Sequence, residues 1–210
     1  MTHALTQLEA INVVLGAADI SPVTTIGTGT TLEATLALNI LNHCQREVLN
    51  VGWHWNTDFL YSIPLHGATQ EVHVPDSTLR FDPVENQSLV VRGDKIWDRV
   101  NHTYDIGSAV KGTMIWYLEW DELIEEAKIY ITRKTARRFH EQHVGSGDAL
   151  NSLIQDERES LRLMVDGDLD AGSYSLFDSP DMQAGLSYGN PYVGRAAFNS
   201  SDPFRSSLNG

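Results

Sequence analysis

The sequence predicts an α+β fold: an antiparallel four-helix bundle with an inserted small β-sandwich-like domain and an extended C-terminal arm. Apolar residues recur at helical spacing before residue 52 and after residue 119, and they alternate with polar residues in between. The last forty residues follow neither spacing. We therefore assign residues 1–52 and 119–170 to the bundle, 53–118 to the β domain and 171–210 to the arm.

The first helix is predicted over residues 7–15. Thr6 and Glu9 form a Thr-x-x-Glu capping box, in which the hydroxyl and the carboxylate accept from unpaired amides of the first turn. Gly16 then ends the helix. Its apolar face is predicted to consist of Leu8, Ile11, Val14 and Leu15.

The second helix is predicted to begin after Thr30 and to continue to about Val51. Thr30 and Glu33 repeat the capping box, and Gly52 ends the helix. One apolar stripe recurs every three or four positions, and we expect it to face the core. The stripe contains Leu32, Leu36, Ile40, Leu41, Cys44, Val48 and Val51.

The segment 53–118 is predicted to form five or six short strands. Apolar residues alternate with polar ones at Phe59, Tyr61, Ile63 and Leu65. The predicted later strands are 71–74, 79–81, 89–92, 95–97 and 113–118. Gly93 and Asp94 form the best hairpin turn. Together with Arg92 they spell a cell-adhesion tripeptide, but their position favours a turn.

The third and fourth helices are predicted over residues 121–140 and 148–166. Acidic residues occupy the first turns of the third helix and basic residues its last turns, which suits the helix macrodipole. Its predicted core face is Ile124, Ala127, Ile131, Thr135 and Phe139. The predicted stripe of the fourth helix is Leu150, Leu153, Ile154, Leu161, Met164 and Val165.

The arm, residues 171–210, consists largely of Gly, Ser, Pro and Asn and has no apolar stripe to bury. Its aromatic residues are costly to leave in water, and they suit pockets on another protein. A tail that folds back on its own domain is the alternative. We favour an arm that becomes ordered on a partner. The candidate partner-binding residues are Tyr174, Phe177, Tyr188, Tyr192, Phe198 and Phe204.

The composition is acidic, with 28 Asp and Glu against 15 Lys and Arg and a formal net charge of −13. This balance argues against direct binding to the phosphate backbone of DNA, which requires clustered Lys and Arg. The single cysteine, Cys44, cannot form an intrachain disulfide and is expected in the core. We expect neither a signal peptide nor a membrane span.

Two motifs resemble metal sites but have the wrong spacing. His140 and His143 are three residues apart, whereas the zinc-protease motif requires a spacing of four, so we expect a solvated helix end. The aspartates of segment 166–170 resemble the start of a calcium loop. The positions that would need Gly and Glu hold Ala171 and Phe177. We therefore predict no metal ligands and no cofactor.

Catalytic residues are not indicated either. Trp53 and Trp55 could form a platform that stacks on sugars, but residues just past a helix end more often fill a core. Carboxylates are abundant, so some pair will lie at glycosidase distance by chance. No phosphate loop, dinucleotide fingerprint or Gly-x-Ser-x-Gly motif is present.

Several segments, in this order and at this spacing, resemble the tail tubular protein A family, the head-to-tail adaptor of short-tailed bacteriophages. The resemblance covers about residues 5–178. The segments are 8–16 (LEAINVVLG), 21–23 (SPV), 37–42 (ALNILN), 51–53 (VGW), 91–98 (VRGDKIWD), 121–123 (DEL), 136–139 (ARRF) and 172–178 (GSYSLFD).

The resemblance implies a helical bundle with an inserted β domain. It also implies a structural, non-enzymatic virion protein that forms a twelve-subunit ring in the phage tail and is assembled in the bacterial host cytoplasm. That ring would lie between the portal protein and the tubular nozzle protein, help to seat tail fibres, and line a channel through which DNA passes without specific binding. A negative channel wall would repel DNA, so the genome could slide past it.

Charged helix faces are the predicted contacts between subunits. The candidate residues are Arg133, Lys134, Arg137, Arg138, Asp156, Glu157 and Glu159. Two alternatives stay open. One is a polysaccharide or peptidoglycan hydrolase carried in the phage tail, suggested by the surplus carboxylates and by Trp53 and Trp55. The other is a calcium-regulated binding module.

Overall fold

The structure, a computed structural model, describes residues 4–27, 29–67, 69–84, 86, 88–145 and 147–171. This part of the chain contains helices and antiparallel strands, so the predicted α+β class is confirmed. Its helices are α1 (Gln7–Gly16), α2 (Leu32–Leu49), α3 (Glu125–His143) and α4 (Asp148–Ala171). Its strands are β1 (Thr57–Ile63), β2 (Thr78–Pro83), β3 (Leu89–Arg92), β4 (Lys95–Asp98) and β5 (Val110–Trp116).

Helix α1 begins as predicted. The Thr6 hydroxyl accepts from the Glu9 amide at 3.3 Å, and the Glu9 carboxylate accepts from the Thr6 amide at 2.9 Å. Ile11, Val14 and Leu15 of the predicted face are fully buried. The capping box and the apolar face of this helix are therefore confirmed.

Helix α2 begins one residue later than predicted, so the Thr30 capping box was wrong. The N-cap is Thr31, whose hydroxyl accepts from the Ala34 amide at 3.3 Å. The Thr30 hydroxyl instead donates to the carbonyl oxygen of Gly27 at 2.8 Å. The helix ends at Leu49 rather than near residue 51.

The predicted stripe of α2 was wrong in its N-terminal half. Leu32 is 70% exposed and Leu36 is 40% exposed, whereas Ala34 and Ala37 are buried. The small alanines let α2 approach its neighbours closely there, and the larger side chains are left on the outer face. In the C-terminal half, Leu41, Cys44 and Val48 are buried as predicted, but Val51 lies beyond the end of the helix and is 60% exposed. The residues buried along the whole helix are Ala34, Ala37, Leu41, Cys44, Gln45, Val48 and Leu49.

Helix α3 begins at Glu125, after a short 3₁₀ turn over Trp120–Glu122. Its predicted core face is largely confirmed, since four of the five residues are buried. These are Ala127, Ile131, Thr135 and Phe139. His140, expected at a solvated helix end, is also buried, and its Nδ1 lies 2.7 Å from the carbonyl oxygen of Ala17. His143 is exposed as expected.

Helix α4 buries little of its predicted stripe. Met164 is the only apolar residue of α4 that is buried. Leu153 and Leu161 are partly buried and pack against the same apolar cluster as Met164. The helix also continues beyond residue 166 to Ala171. The aspartates of the calcium-like motif therefore lie within a helix and not in a loop.

The strands form two antiparallel sheets. One has the order β1-β5-β2, and the other is the β3-β4 hairpin, which turns at Gly93 and Asp94 as predicted. The strand predicted over residues 71–74 was wrong. That segment contributes only isolated bridges, between Leu65 and Val72 and between His73 and Lys95.

Strand β1 carries a bulge. Asp58 pairs with Met114 and Tyr61 with Gly112, so β1 contains one residue more than β5 across this interval. Leu60 takes a left-handed φ of 57° there. The bulge breaks the alternation expected from the sequence. Ile63 is buried as that alternation requires, but Phe59 is 63% exposed.

Two apolar clusters make up the core of the described residues. The larger one joins residues of all four helices, and it includes the buried Cys44 and the partly buried Trp53 and Trp55, as expected for core residues. The smaller one joins residues from all five strands. The four-helix bundle, the sandwich-like form and the domain boundaries stay predictions.

One side chain connects the end of α2 to the sheet. The Asn56 amide donates to the carbonyl oxygens of Leu49 at 2.9 Å and Trp116 at 3.0 Å. Its Oδ1 accepts from the Trp53 amide at 2.8 Å. Asn56 is itself buried. The side chain therefore ties the start of the β segment to the end of its last strand.

Candidate functional site

A cluster of charges joins α2 to α3. The Glu47 carboxylate accepts from both terminal nitrogens of Arg138, at 2.9 and 2.8 Å, and lies 3.2 Å from the Lys134 ammonium. The hydrogen bond from Arg138 is the main reason why the pKa of Glu47 falls from 4.5 to about 2. Because two cations share one carboxylate, the cluster keeps a net positive charge.

A second set of ion pairs joins α3 to α4. Arg133 lies 3.3 Å from the carboxylate of Asp156, and Arg137 binds both Glu157 and Glu141. All four predicted basic residues thus have acidic partners within their own chain. Such pairs add little when exposed to solvent. The pairs of Arg133 with Asp156 and of Arg137 with Glu157 link α3 to α4.

The predicted inter-subunit residues are thus largely brought together inside one chain. Six of the seven take part in the pairs just described, whereas Glu159 is exposed and lies in neither cluster. Their role between subunits stays a prediction. The predicted partner-binding residues of the arm, Tyr174, Phe177, Tyr188, Tyr192, Phe198 and Phe204, lie outside the described residues.

The bulge of β1 presents two adjacent apolar side chains to solvent. Phe59 is 63% exposed and Leu60 is 64% exposed. The strand lies at an edge of its sheet, because β5 is the central strand. A bulky residue such as Leu is rare at positive φ, and backbone strain of this kind is concentrated at functional sites. We call Phe59 and Leu60 the bulge knob.

A groove between α2 and α3 is the apolar counterpart of the knob. It has a volume of about 280 Å³. We call this surface the α2 groove. It is lined by Leu36, Asn39, Ile40, His43, Arg138 and Gln142. Leu32, one turn before Leu36 on the same side of α2, extends the exposed apolar face.

A larger cavity of about 670 Å³ lies where α2 meets the sheet. Its lining includes Arg46, Asp76, Tyr117, Glu119 and Glu122. Glu122 is engaged locally, because its carboxylate accepts from the Glu119 amide at 2.9 Å. The cavity is open and mixed in polarity, without the convergent polar groups that mark a substrate site.

The shifted carboxyl pKa values do not suit acid catalysis. Within the described ranges, the shifted carboxyls are Glu9, Glu47, Glu71 and Asp98, and all four pKa values are lowered. Each is held down chiefly by a hydrogen bond to the ionised form, from a backbone amide or from a cation. A glycosidase acid needs the opposite shift.

The described part of the chain holds no group of three or more His, Cys, Asp or Glu side chains arranged to bind a metal ion. Burial raises the pKa of the Cys44 thiol. A raised pKa disfavours the nucleophilic thiolate. Within the same part of the chain, no helix has the length and apolar character needed to cross a membrane.

Neither apolar surface is predicted from the sequence. The sequence does contain a sign of the knob, since Phe59 and Leu60 are adjacent apolar residues in a segment that otherwise alternates. The groove has no comparable sign. Leu36 in its wall and Leu32 beside it fit a helical stripe as well as the buried Ala34 and Ala37 do.

Comparison with known proteins adds one finding. A protein-family model described as "Tube: Tail tubular protein" matches residues 8–174, which is well over half of the chain. No curated protein matches the sequence.

Proposed function

Because the chain belongs to the tail tubular protein family, we propose that it is the head-to-tail adaptor of a short-tailed bacteriophage. Membership of the family makes it a structural component of a phage tail. The finer role, joining the portal protein to the tail nozzle, is our inference. It rests on the resemblance of the segments described above and on the surfaces that the chain leaves uncovered.

In this proposal twelve copies form a ring around the DNA channel, in the virion tail. The helical segments, 1–52 and 119–170, form an antiparallel four-helix bundle in the ring wall. The sandwich-like β domain, 53–118, faces the nozzle and, where present, the tail fibres. The arm, 171–210, binds the portal protein or a neighbouring copy through its aromatic residues. Assembly takes place in the cytoplasm of the bacterial host.

The acidic charge supports a passage for DNA rather than a binding site for it. At a net charge of −13 per chain, a ring of copies would repel the phosphate backbone strongly at short range. Screening at physiological salt limits this repulsion to about 8 Å, which is sufficient at a channel wall. The genome would then pass without specific contacts.

The family match over residues 8–174 carries the proposal. The test is the mass of the purified protein, measured by light scattering on a sizing column, alone and after mixing with its portal protein. We expect a ring-sized species in at least one of the two samples. A protein that stays monomeric in both would rule the adaptor role out.

The role of the arm needs its own variant. Deletion of residues 171–210 is expected to leave a folded protein, because the two apolar clusters of the described residues are built from residues before 171. The same deletion should abolish docking to the portal protein. Full affinity in the truncated protein would show that the arm is not the anchor.

The hydrolase alternative gains no support from these observations. Trp53 and Trp55 pack against the core, and the shifted carboxyl pKa values move away from what a catalytic acid needs. Absence of turnover of peptidoglycan and capsular polysaccharide by the purified protein would rule the hydrolase alternative out.

A further inference from the structure

The bulge knob has the properties of an anchor for a protein partner. Two large apolar side chains stand side by side with more than half of each surface in water. Leu60 is held there at a positive φ, although a regular strand would turn one of the two residues inward. Backbone strain and exposed apolar surface therefore occur at the same position, as they do at functional sites. Exposed aromatic residues that become buried in an interface contribute much of the binding energy between proteins.

The bulge also determines how a partner could bind. A regular edge strand offers its free amides and carbonyls to another strand. The extra residue between Asp58 and Tyr61 interrupts that row. Docking through side chains is therefore favoured over strand addition. A partner must supply a pocket that takes a phenyl ring and an isobutyl group.

The α2 groove is such a pocket. An apolar cavity of about 150 Å³ binds benzene. The groove, at about 280 Å³, has room for a phenyl ring and part of a second side chain. Leu36 and Ile40 supply its apolar wall, and Leu36 is 40% exposed.

The charges beside the two surfaces are opposite. Asp58, next to the knob, is an exposed acidic residue whose carboxylate accepts from the indole Nε1 of Trp116 at 2.7 Å. Arg138, at the groove, belongs to the cluster in which two cations share the carboxylate of Glu47. The knob thus carries negative charge and the groove positive charge, which favours their approach and fixes its direction.

We propose that the bulge knob of one copy inserts into the α2 groove of the next copy of this chain. A second copy is the occupant that the molecule itself provides, because the described part of each chain carries both the knob and a groove that has room for its phenyl ring and bears the opposite charge. Such a contact joins two different surfaces, so it repeats from copy to copy and forms a ring where the rotation between copies closes. The inference rests on the proposed ring assembly and assigns one of its contacts.

Cysteine cross-linking tests the contact directly. In the full-length chain, Leu60→Cys is combined with Asn39→Cys at the groove, which leaves Phe59 in place. Native Cys44 is buried and serves as the unreactive background. With a short bismaleimide, the double variant should give a ladder of covalent multimers. The matched control combines Asn39→Cys with Val84→Cys, an exposed apolar position outside the knob, and should give none.

A pair of substitutions measures how much the knob contributes to the free energy of self-association. Phe59→Ser should weaken self-association about tenfold or more, as expected for an aromatic anchor. Val84→Ser, a change of the same kind at a 56% exposed residue, should change it less than about twofold. Thermal unfolding of each variant checks that the fold is intact, and the cross-linking result stands even if Phe59→Ser fails to fold.

The outcomes separate this inference from the proposed function. The wild-type chain could form a ring while the cysteine double variant gives no ladder and Phe59→Ser self-associates as strongly as the wild type. That result would overturn the knob-and-groove contact and leave the adaptor role intact. Absence of any self-association by the wild-type chain, alone or with the portal protein, would overturn both. A ladder from Leu60→Cys with Asn39→Cys, absent in the Val84→Cys control, would establish the contact.

Discussion

Gly112 lies in the central strand β5, at a point where no side chain fits. A Cβ atom there would stand 2.5 Å from the backbone oxygen of Asp82 and 2.5 Å from the ring of Phe81. Phe81 is one of the largest side chains in the small apolar cluster. The absence of a side chain at Gly112 is therefore what allows the Phe81 ring to pack closely against β5.

We expect Gly112→Ala to lower the free energy of unfolding by about 1–3 kcal/mol, because the new methyl group overpacks the cluster and meets backbone that cannot move away. Urea unfolding measures the effect. Gly67→Ala is the control, since a Cβ atom at Gly67 meets nothing within 4 Å. Equal stability of the two variants would contradict this account of β5.

Glu47 makes stability depend on pH. Its pKa is about 2 in the folded protein against 4.5 ordinarily, so the folded state favours the ionised carboxylate. The stabilisation is therefore complete above pH 4.5 and is lost as the pH falls towards 2. Glu47→Gln should flatten the acid limb of a plot of unfolding free energy against pH.

The control for that experiment is Glu33→Gln in the first turn of the same helix. It should leave the acid limb as steep as in the wild type. If Glu47→Gln retained the full acid sensitivity between pH 4.5 and 2, the pairing with Arg138 and Lys134 would not be what holds that carboxylate ionised.

At the scale of the element, α2 shows what the sequence could and could not predict. Its existence and approximate span follow from apolar spacing and a capping residue. Its orientation does not. Leu32 and Leu36 repeat at helical spacing just as Ala34 and Ala37 do, and a ranking by hydrophobicity favours the leucines. Only close approach between helices, a property of the tertiary structure, places the alanines inside.

The start of α2 can be tested with two adjacent threonines. Thr31→Ala should cost about 1 kcal/mol, because the Ala34 amide loses its side-chain acceptor. Thr30→Ala should cost clearly less, since its hydroxyl bonds to an exposed loop carbonyl and to the exposed hydroxyl of Thr35 and caps no helix amide. Thermal unfolding of both variants measures the difference. A larger loss of stability in Thr30→Ala than in Thr31→Ala would show that Thr30 is the N-cap, as the sequence pattern predicts.

Helix α4 depends on few apolar contacts. Met164 is fully buried while its neighbour Leu163 is 51% exposed. We expect Met164→Ala to cost about 2–5 kcal/mol through the cavity it leaves. Leu163→Ala should stay within about 0.5 kcal/mol. Chemical unfolding compares the two, and hydrogen exchange of the α4 amides should accelerate only in Met164→Ala.

At the scale of the whole molecule, charge predicts behaviour towards DNA. With a net charge of −13, the purified protein should show no binding to duplex DNA by fluorescence anisotropy at physiological salt. Lowering the salt should not induce binding, because repulsion grows as screening falls. An affinity that rises at low salt would reveal a basic surface and contradict the proposed channel.

The family could be recognised from the sequence alone, because short segments in a fixed order survive as a pattern. The two apolar surfaces could not. Phe59 is turned outward by a bulge that depends on pairing with β5, a strand some fifty residues away in the chain. The residues around β1 carry no information about the strand that pairs with it, so a register shift between the two cannot be predicted from the local sequence.

Asn56 gives the molecule a mechanical property. Its short side chain holds the end of α2, the turn after it and the end of β5 through three hydrogen bonds. A force applied to the sheet is therefore transmitted to α2 through these buried hydrogen bonds as well as through the connecting backbone. We expect the two apolar clusters to move together as one rigid unit when a mechanical force acts on the phage tail.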